Sequence, residues 1–206
     1  MSATFTMDGI IGEGTCTAAA FRAFAANTSG PVTVYLNSPG GAAIEGAAIL
    51  AEFERHGKVT VIGQGVVASA ASLAAMGGAE IVLHRDALFM IHDPAAVAFG
   101  TADAHREAAG VLDKIGDTYA KAYSRASGNP VERVKAWMRA ETWLDAAEAL
   151  ALNFCDRIEG GTDAVAVAAF DFTRFQHAPA RLVQMARANG WATASPDTGK
   201  KETTDA

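Results

Sequence analysis

No run of about 18 consecutive apolar residues occurs in the 206-residue chain, so no membrane-spanning helix is expected. The opening MSATFTMDGIIGEG has no basic segment and no long apolar core, and does not read as a secretory signal. Cysteine is scarce. Cys16 and Cys155 lie far apart, without metal-ligand spacing, and a reduced, cytoplasmic setting is the default. The five histidines are scattered, lacking the clustered His/Cys/Asp spacing of a zinc site. No block of Lys and Arg stands out, and the net charge is −6 with a pI near 5.3. Phosphate contacts need concentrated positive charge, so nucleic acid is not an expected partner. No internal repeat is present, and no metal or cofactor is called for.

What the chain has is apolar residues in short runs. Half of its residues are hydrophobic, enough for one sizeable core with an appendage. Strands are expected over 4–11, 32–37, 59–66, 80–83, 87–91 and 154–158. Helices are expected over 15–26 with Thr15 as cap, 42–56 ending at Gly57, and 69–76. Further helices are expected from Pro130 to about Arg139 with an Asn129 cap, and from the capping-box pattern Asp145-Ala146-Ala147-Glu148. The longest helical pattern, 101–124, carries a stripe of Ala108, Val111, Leu112, Ile115, Tyr119 and Ala122. This alternation predicts an α/β fold of repeated β-α-β units with parallel strands and right-handed crossovers. Composition changes after Gly160-Gly161, a hinge candidate. The expected division is a domain over 1–159, an appendage over 160–191 and a disordered tail over 192–206. Within the appendage, 165–175 is β-prone and 181–189 helical.

The chemistry gathers around 59–92. The apolar run 59–66 leads through Ala68-Ser69-Ala70-Ala71-Ser72 into a helix, which puts Ser69 at its first turn, beside free backbone N–H groups. A second apolar strand delivers His92 at its end, followed by Asp93-Pro94. Together these are a nucleophile and a candidate base. Serine at a helix start is more often a cap, and a lone histidine after a strand is more often structural. Upstream, a buried strand ends in Ser38-Pro39-Gly40-Gly41, whose glycines let backbone N–H groups approach a ligand.

SPGG, ASAAS and MIHDP in this order and spacing resemble the Clp protease proteolytic subunit family, most of all its phage-type branch, the head maturation proteases. The similarity covers about 10–158. It implies the Clp-protease/crotonase-like fold, in which the long helix is a protruding handle between facing rings. It also implies Ser69 as nucleophile, with Ser72 as the packed rival, and His92 as base. The family's orienting acid precedes an aromatic-Leu-x-Ala-x-Glu-Ala stretch, here Trp143 to Ala149, so it falls on Glu141. Housekeeping members carry aspartate there; glutamate looks like the phage-type branch, and a Ser-His-Glu triad is chemically feasible. Asp86 and Asp93 are nearer in sequence, but neither is expected to fold back onto the histidine. The oxyanion donors implied are the N–H groups of Gly41 and Ala70. Gly40, Ala42 and Ala43, with Asp93, Pro94 and Ala95, would flank an extended polypeptide substrate.

The function expected is thus an ATP-independent serine endopeptidase, ring-forming, cutting capsid or scaffold protein in the host cytoplasm or procapsid. Few residues precede the first strand, which leaves no expected axial loop for an unfoldase. The alternatives are a housekeeping Clp subunit working with an ATPase, a crotonase-type acyl-CoA enzyme, and an inactive structural ring.

Overall fold

The computed structural model describes residues 2–160 and 167–192, and the chain divides into two compact units, 1–168 and 169–206. In the first unit β1 (Ala3–Asp8), α1 (Ala18–Ala25), β2 (Val32–Ser38), α2 (Ala43–His56), β3 (Val59–Ala68), α3 (Ala70–Ala75) and β4 (Glu80–His84) alternate as expected. Then follow β5 (Leu88–Ile91), α4 (Ala102–Ser127), α5 (Val131–Arg139), β6 (Thr142–Asp145), α6 (Ala146–Ala151) and β7 (Arg157–Glu159). The path β1-β2-β3-β4-β7 is parallel throughout. Its central strands are buried on both faces, which explains why β3 reads as a continuous apolar run rather than an alternating one.

Strand β3 serves two partners in succession. Thr60 to Gly63 pair with β4, and Val66 to Ala68 pair with β5. The β2–β3 register shifts at the same level, between Leu36 and Ser38. There the Asn37 side chain enters the ladder: its Oδ1 accepts from the N–H of Val66 at 3.2 Å and of Ala168 at 3.3 Å. Strand β5 in turn pairs antiparallel with β6. The short strand β6 is absent from the sequence reading, which went from the α5 helix to the capping box.

Helix α2 ends as expected, with Gly57 in the left-handed conformation. Its Gly46 meets α3 so closely that a Cβ there would lie 2.5 Å from the Ala70 oxygen. The start of α3 is thereby packed tightly on its outer side. Two caps differ from expectation. Thr17, not Thr15, caps α1, its hydroxyl accepting from the Ala20 N–H. Helix α5 begins after Pro130 with no side-chain cap; Asn129 instead donates its amide to the Leu152 oxygen at 2.6 Å. The Asp145–Glu148 capping box is present in full.

Helix α4 runs 26 residues, about 39 Å at 1.5 Å per residue. Thr101 caps its start and Gly128 its end. Its C-terminal half is bound into the core, where Tyr123 and the Trp137 of α5 both lie edge-on to Phe154, itself stacked on Phe89 of β5 at 5.5 Å.

The second unit holds a 3-10 turn, Phe172–Arg174, and α7 (Ala180–Ala188). The helix is near its expected position. The β-prone reading of 165–175 is corrected: Asp171 accepts from the Thr173 N–H and hydroxyl and winds the chain into a turn, with Phe170, Phe172 and Phe175 packed on one another. Gly161 of the hinge candidate, the first two residues of the β-prone segment, and 193–206 of the expected tail lie outside the described residues.

Candidate active site

The turn from β3 into α3 is wound against the ordinary preference of its pivot. Ser69 has φ 57° and ψ −124°, a region costly for a residue with a side chain, on the order of 1–3 kcal/mol. The turn persists because its backbone is held on both sides: the Ser69 N–H donates to the Met90 oxygen at 2.9 Å, and its C=O accepts the Leu73 N–H at 3.1 Å. The side chain does not cap the helix. It points to His92, with Oγ 2.7 Å from Nε2.

His92 follows β5 directly, and β5 pairs with β6 through Leu88↔Asp145 to Ile91↔Thr142. One further step of this register sets His92 opposite Glu141. Glu141 is 8% exposed and has φ 47°, and it accepts from the Trp143 indole N–H at 3.3 Å. Burial pushes the His92 pKa below the ordinary histidine value; the carboxylates of Glu141 and, less strongly, Asp93 oppose that shift. Asp93 is exposed and leads away into the Pro94 segment. Of the three acids weighed from sequence, Glu141 alone is both buried and in register with the histidine.

Ser72 is fully buried. Its hydroxyl lies 2.7 Å from the Ser69 oxygen, 2.6 Å from the Met90 oxygen and 2.8 Å from the Tyr123 hydroxyl. It is a packed, satisfied group, without the exposure a nucleophile needs.

The two backbone N–H groups expected as oxyanion donors are those of Ala70 and Gly41. Ala70 is the first residue of α3, so its N–H has no intrahelical acceptor. Gly41 forms a parallel bridge with Ile11 in which Ile11 donates to the Gly40 oxygen and accepts from the Ala42 N–H. That pattern turns the Gly41 N–H away from Ile11. Gly40 must be glycine: its φ is 101°, and a Cβ there would lie 2.6 Å from the Ser69 Cβ and 2.8 Å from the Ala68 oxygen.

The sequence profile of the Clp protease family matches residues 17–161. The chain belongs to the Clp protease family. It is 29% identical over 130 residues to the ATP-dependent Clp protease proteolytic subunit 2 of Bacillus licheniformis, covering 62% of this chain and 68% of that one. It is 30% identical over 140 residues to the corresponding subunit 3 of Rhizobium meliloti, covering 66% and 71%. It is 34% identical over 131 residues to the subunit from Arabis hirsuta, covering 61% and 66%. The match ends before the second unit, and the chain spans about two thirds of the length of these relatives.

In this Clp protease chain the segments expected to flank substrate are open. Gly41, Ala42, Asp93 and Ala95 are exposed, Ala43 and Pro94 half-buried, and Gly40 is buried under the turn. A cavity of about 620 Å³ lies beside Asp93 and Pro94, walled by Leu112 and Gly116 of α4 and by Lys135 and Arg139 of α5. A smaller one of about 250 Å³ lies between Ile44 and Ala47 of α2 and Val111, Ile115 and Tyr119 of α4. Sequence reasoning placed the α4 residues on a stripe but did not connect them to the site. The available signal was the pair Tyr119 and Tyr123, one helical turn apart, polar-tipped residues where a purely structural stripe would carry aliphatics. Among the described residues no group of three or more His, Cys, Asp or Glu side chains could hold a metal, and no helix is long and apolar enough to cross a membrane. Both cysteines are buried, which raises their thiol pKa values, that of Cys155 to about 11.

Proposed function

We propose that this chain is a serine endopeptidase using Ser69, His92 and Glu141, and the observation that carries the reading is the 2.7 Å contact between Ser69 Oγ and His92 Nε2. His92 takes the hydroxyl proton as Ser69 Oγ bonds to the scissile carbonyl carbon. The carbonyl oxygen becomes an oxyanion held by the Gly41 and Ala70 N–H groups. His92 then gives that proton to the departing amine as the C–N bond breaks, and water repeats the sequence to free the acyl group. Glu141 fixes the tautomer that leaves Nε2 free to accept. Substrate lies extended between 41–44 and 93–95, adding a strand to each.

The depressed His92 pKa has a rate consequence. The base works only when neutral, so kcat/KM should fall as pH drops through that pKa, which lies below the ordinary histidine value. The direct test is labelling with a fluorophosphonate and turnover of a fluorogenic peptide. Ser69→Ala should abolish both. Glu141→Gln should lower kcat by about 10⁴, since an amide favours the wrong histidine tautomer. Labelling that survives Ser69→Ala would sink the assignment. No labelling of the parent would favour the acyl-CoA or structural-ring alternatives.

Within this reading we place the protein in the phage-type branch, as a ring-forming maturation protease acting on capsid or scaffold segments without ATP, in the host cytoplasm or the procapsid. Glutamate at 141, where housekeeping members carry aspartate, supports it. The second reading is a subunit working with an unfoldase, favoured by the names of the relatives, which are called ATP-dependent. Incubation with an unstructured scaffold segment and no nucleotide separates them: cleavage supports the first reading, and cleavage only after adding an unfoldase and ATP supports the second.

A further inference from the structure

We infer that Tyr123 and Ser72 are positioning residues for the oxyanion donor: together they lock the Ser69–Ala70 peptide plane so that the Ala70 N–H faces the reacting carbonyl. This rests on the serine-peptidase reading and extends it to two hydroxyls that do not touch substrate. In a trans peptide the C=O of one residue and the N–H of the next point in opposite directions. The Ser69 C=O and the Ala70 N–H therefore move as one rigid unit. Whatever holds the Ser69 oxygen aims the Ala70 N–H.

That oxygen accepts the Leu73 N–H at 3.1 Å and lies 2.7 Å from the Ser72 hydroxyl; the Tyr123 hydroxyl, 3.4 Å from it, acts on it through Ser72. The Leu73 contact is what any helix start provides. The two hydroxyls are extra, and both are sealed in the core, with Ser72 at 0% and Tyr123 at 1% exposure. Their arrangement also fixes proton direction. Ser72 has one proton and two carbonyl acceptors, those of Ser69 and Met90. The Tyr123 hydroxyl, 2.8 Å away, donates to Ser72 Oγ and leaves the serine proton for the carbonyls. Such a relay strengthens each bond in it.

The Met90 oxygen is a shared anchor, since it also receives the Ser69 N–H. Ser72 thus ties together the peptides on both sides of Ser69's strained φ and the end of the strand that carries His92. Without these ties, the peptide plane could swing toward more ordinary backbone geometry and carry the Ala70 N–H off the oxyanion. The binding segments 41–44 and 93–95 would be undisturbed. The signature is a loss of transition-state binding without a loss of substrate binding.

The experiment compares the full chain with Tyr123→Phe, Ser72→Ala and the double variant, each near-isosteric. Rates are normalised to sites titrated by exhaustive fluorophosphonate labelling. Each single variant should lower kcat by roughly fivefold to tenfold, the worth of one hydrogen bond, with KM unchanged. The Ki of a peptide aldehyde, which forms a tetrahedral adduct on Ser69, should rise by the same factor, and the pKa seen in the pH–rate profile should stay put. Because both hydroxyls act on one peptide, the double variant should cost less than the product of the singles. Unchanged kcat per titrated site in both singles, or a rise in KM that accounts for the whole loss, overturns the inference and leaves the nucleophile assignment standing. Turnover retained by Ser69→Ala in the same assay overturns both.

Discussion

From Ala102 to Thr118 helix α4 is exposed or half-buried, with Val111 at 55% exposure, whereas Tyr119, Ala120, Ala122, Tyr123 and Ser127 are buried. The stripe passes from the aliphatics Val111, Leu112 and Ile115 in the outer half to Tyr119, Ala122 and Tyr123 in the inner, and the rest of the domain buries only the inner half. The inner half meets Phe154, Ser72 and the Ala43 oxygen, the last through the Tyr119 hydroxyl. The outer half carries Val111 and Ile115 along a groove it shares with Ile44, itself 76% exposed. One helix therefore combines a core element that braces the turn at Ser69 with an arm whose apolar side chains have little of their own domain to cover them. This division fits the ring-forming reading, in which another copy would cover the arm.

Substitutions that scale with burial would sharpen this contrast, and uniform effects would break it. Tyr123→Ala should cost most, about 3–5 kcal/mol for removing a large side chain from a packed site, measured by denaturant unfolding. A loss under about 1 kcal/mol would mean the inner half is not core. Tyr119→Phe should cost about 1 kcal/mol in the same assay, since it removes one hydrogen bond to the Ala43 oxygen. It should also loosen the 41–44 segment, read as a higher KM. Thr101→Ala removes the cap of the outer half, and a cap is worth about 1 kcal/mol to its helix. Here that loss should appear as faster amide exchange over the first turns of α4, with the global unfolding midpoint little moved. Val111→Ser should be smallest, within about 0.5 kcal/mol for the isolated subunit. Its effect should fall on self-association, read by light scattering. A global destabilisation from Val111→Ser would show that the outer half is core after all.

The sequence made Ser69 and His92 legible because their positions are punctuated: apolar run, small-residue turn, helix; apolar run, histidine, Asp-Pro. Such local patterns survive folding because they encode the turns themselves. The contact of Ser72 with Tyr123 crosses 51 residues and has no local trace. Strand β6 was illegible for another reason. Its four residues, Thr142–Asp145, are too short for periodicity, and the last of them doubles as the α6 cap, so the stronger signal masked the weaker. The Asn129 cap failed by one residue: α5 starts at Val131, which puts Pro130 in the cap position, while the Asn129 amide donates to the Leu152 oxygen across the fold. Thr15 and Thr17 were separable only by geometry, since either could open α1.

Ser69 and His92 stand at the ends of neighbouring paired strands, Ser69 one residue beyond Ala68 and His92 two beyond Met90. Their spacing is therefore inherited from the ladder, whose strands lie about 4.8 Å apart, and owes nothing to the length of chain that joins them. That chain travels out through α3 and β4 and back through the turn at Arg85-Asp86 before it returns as β5. Length added at that turn would leave in place the ladder that sets the Ser69–His92 spacing.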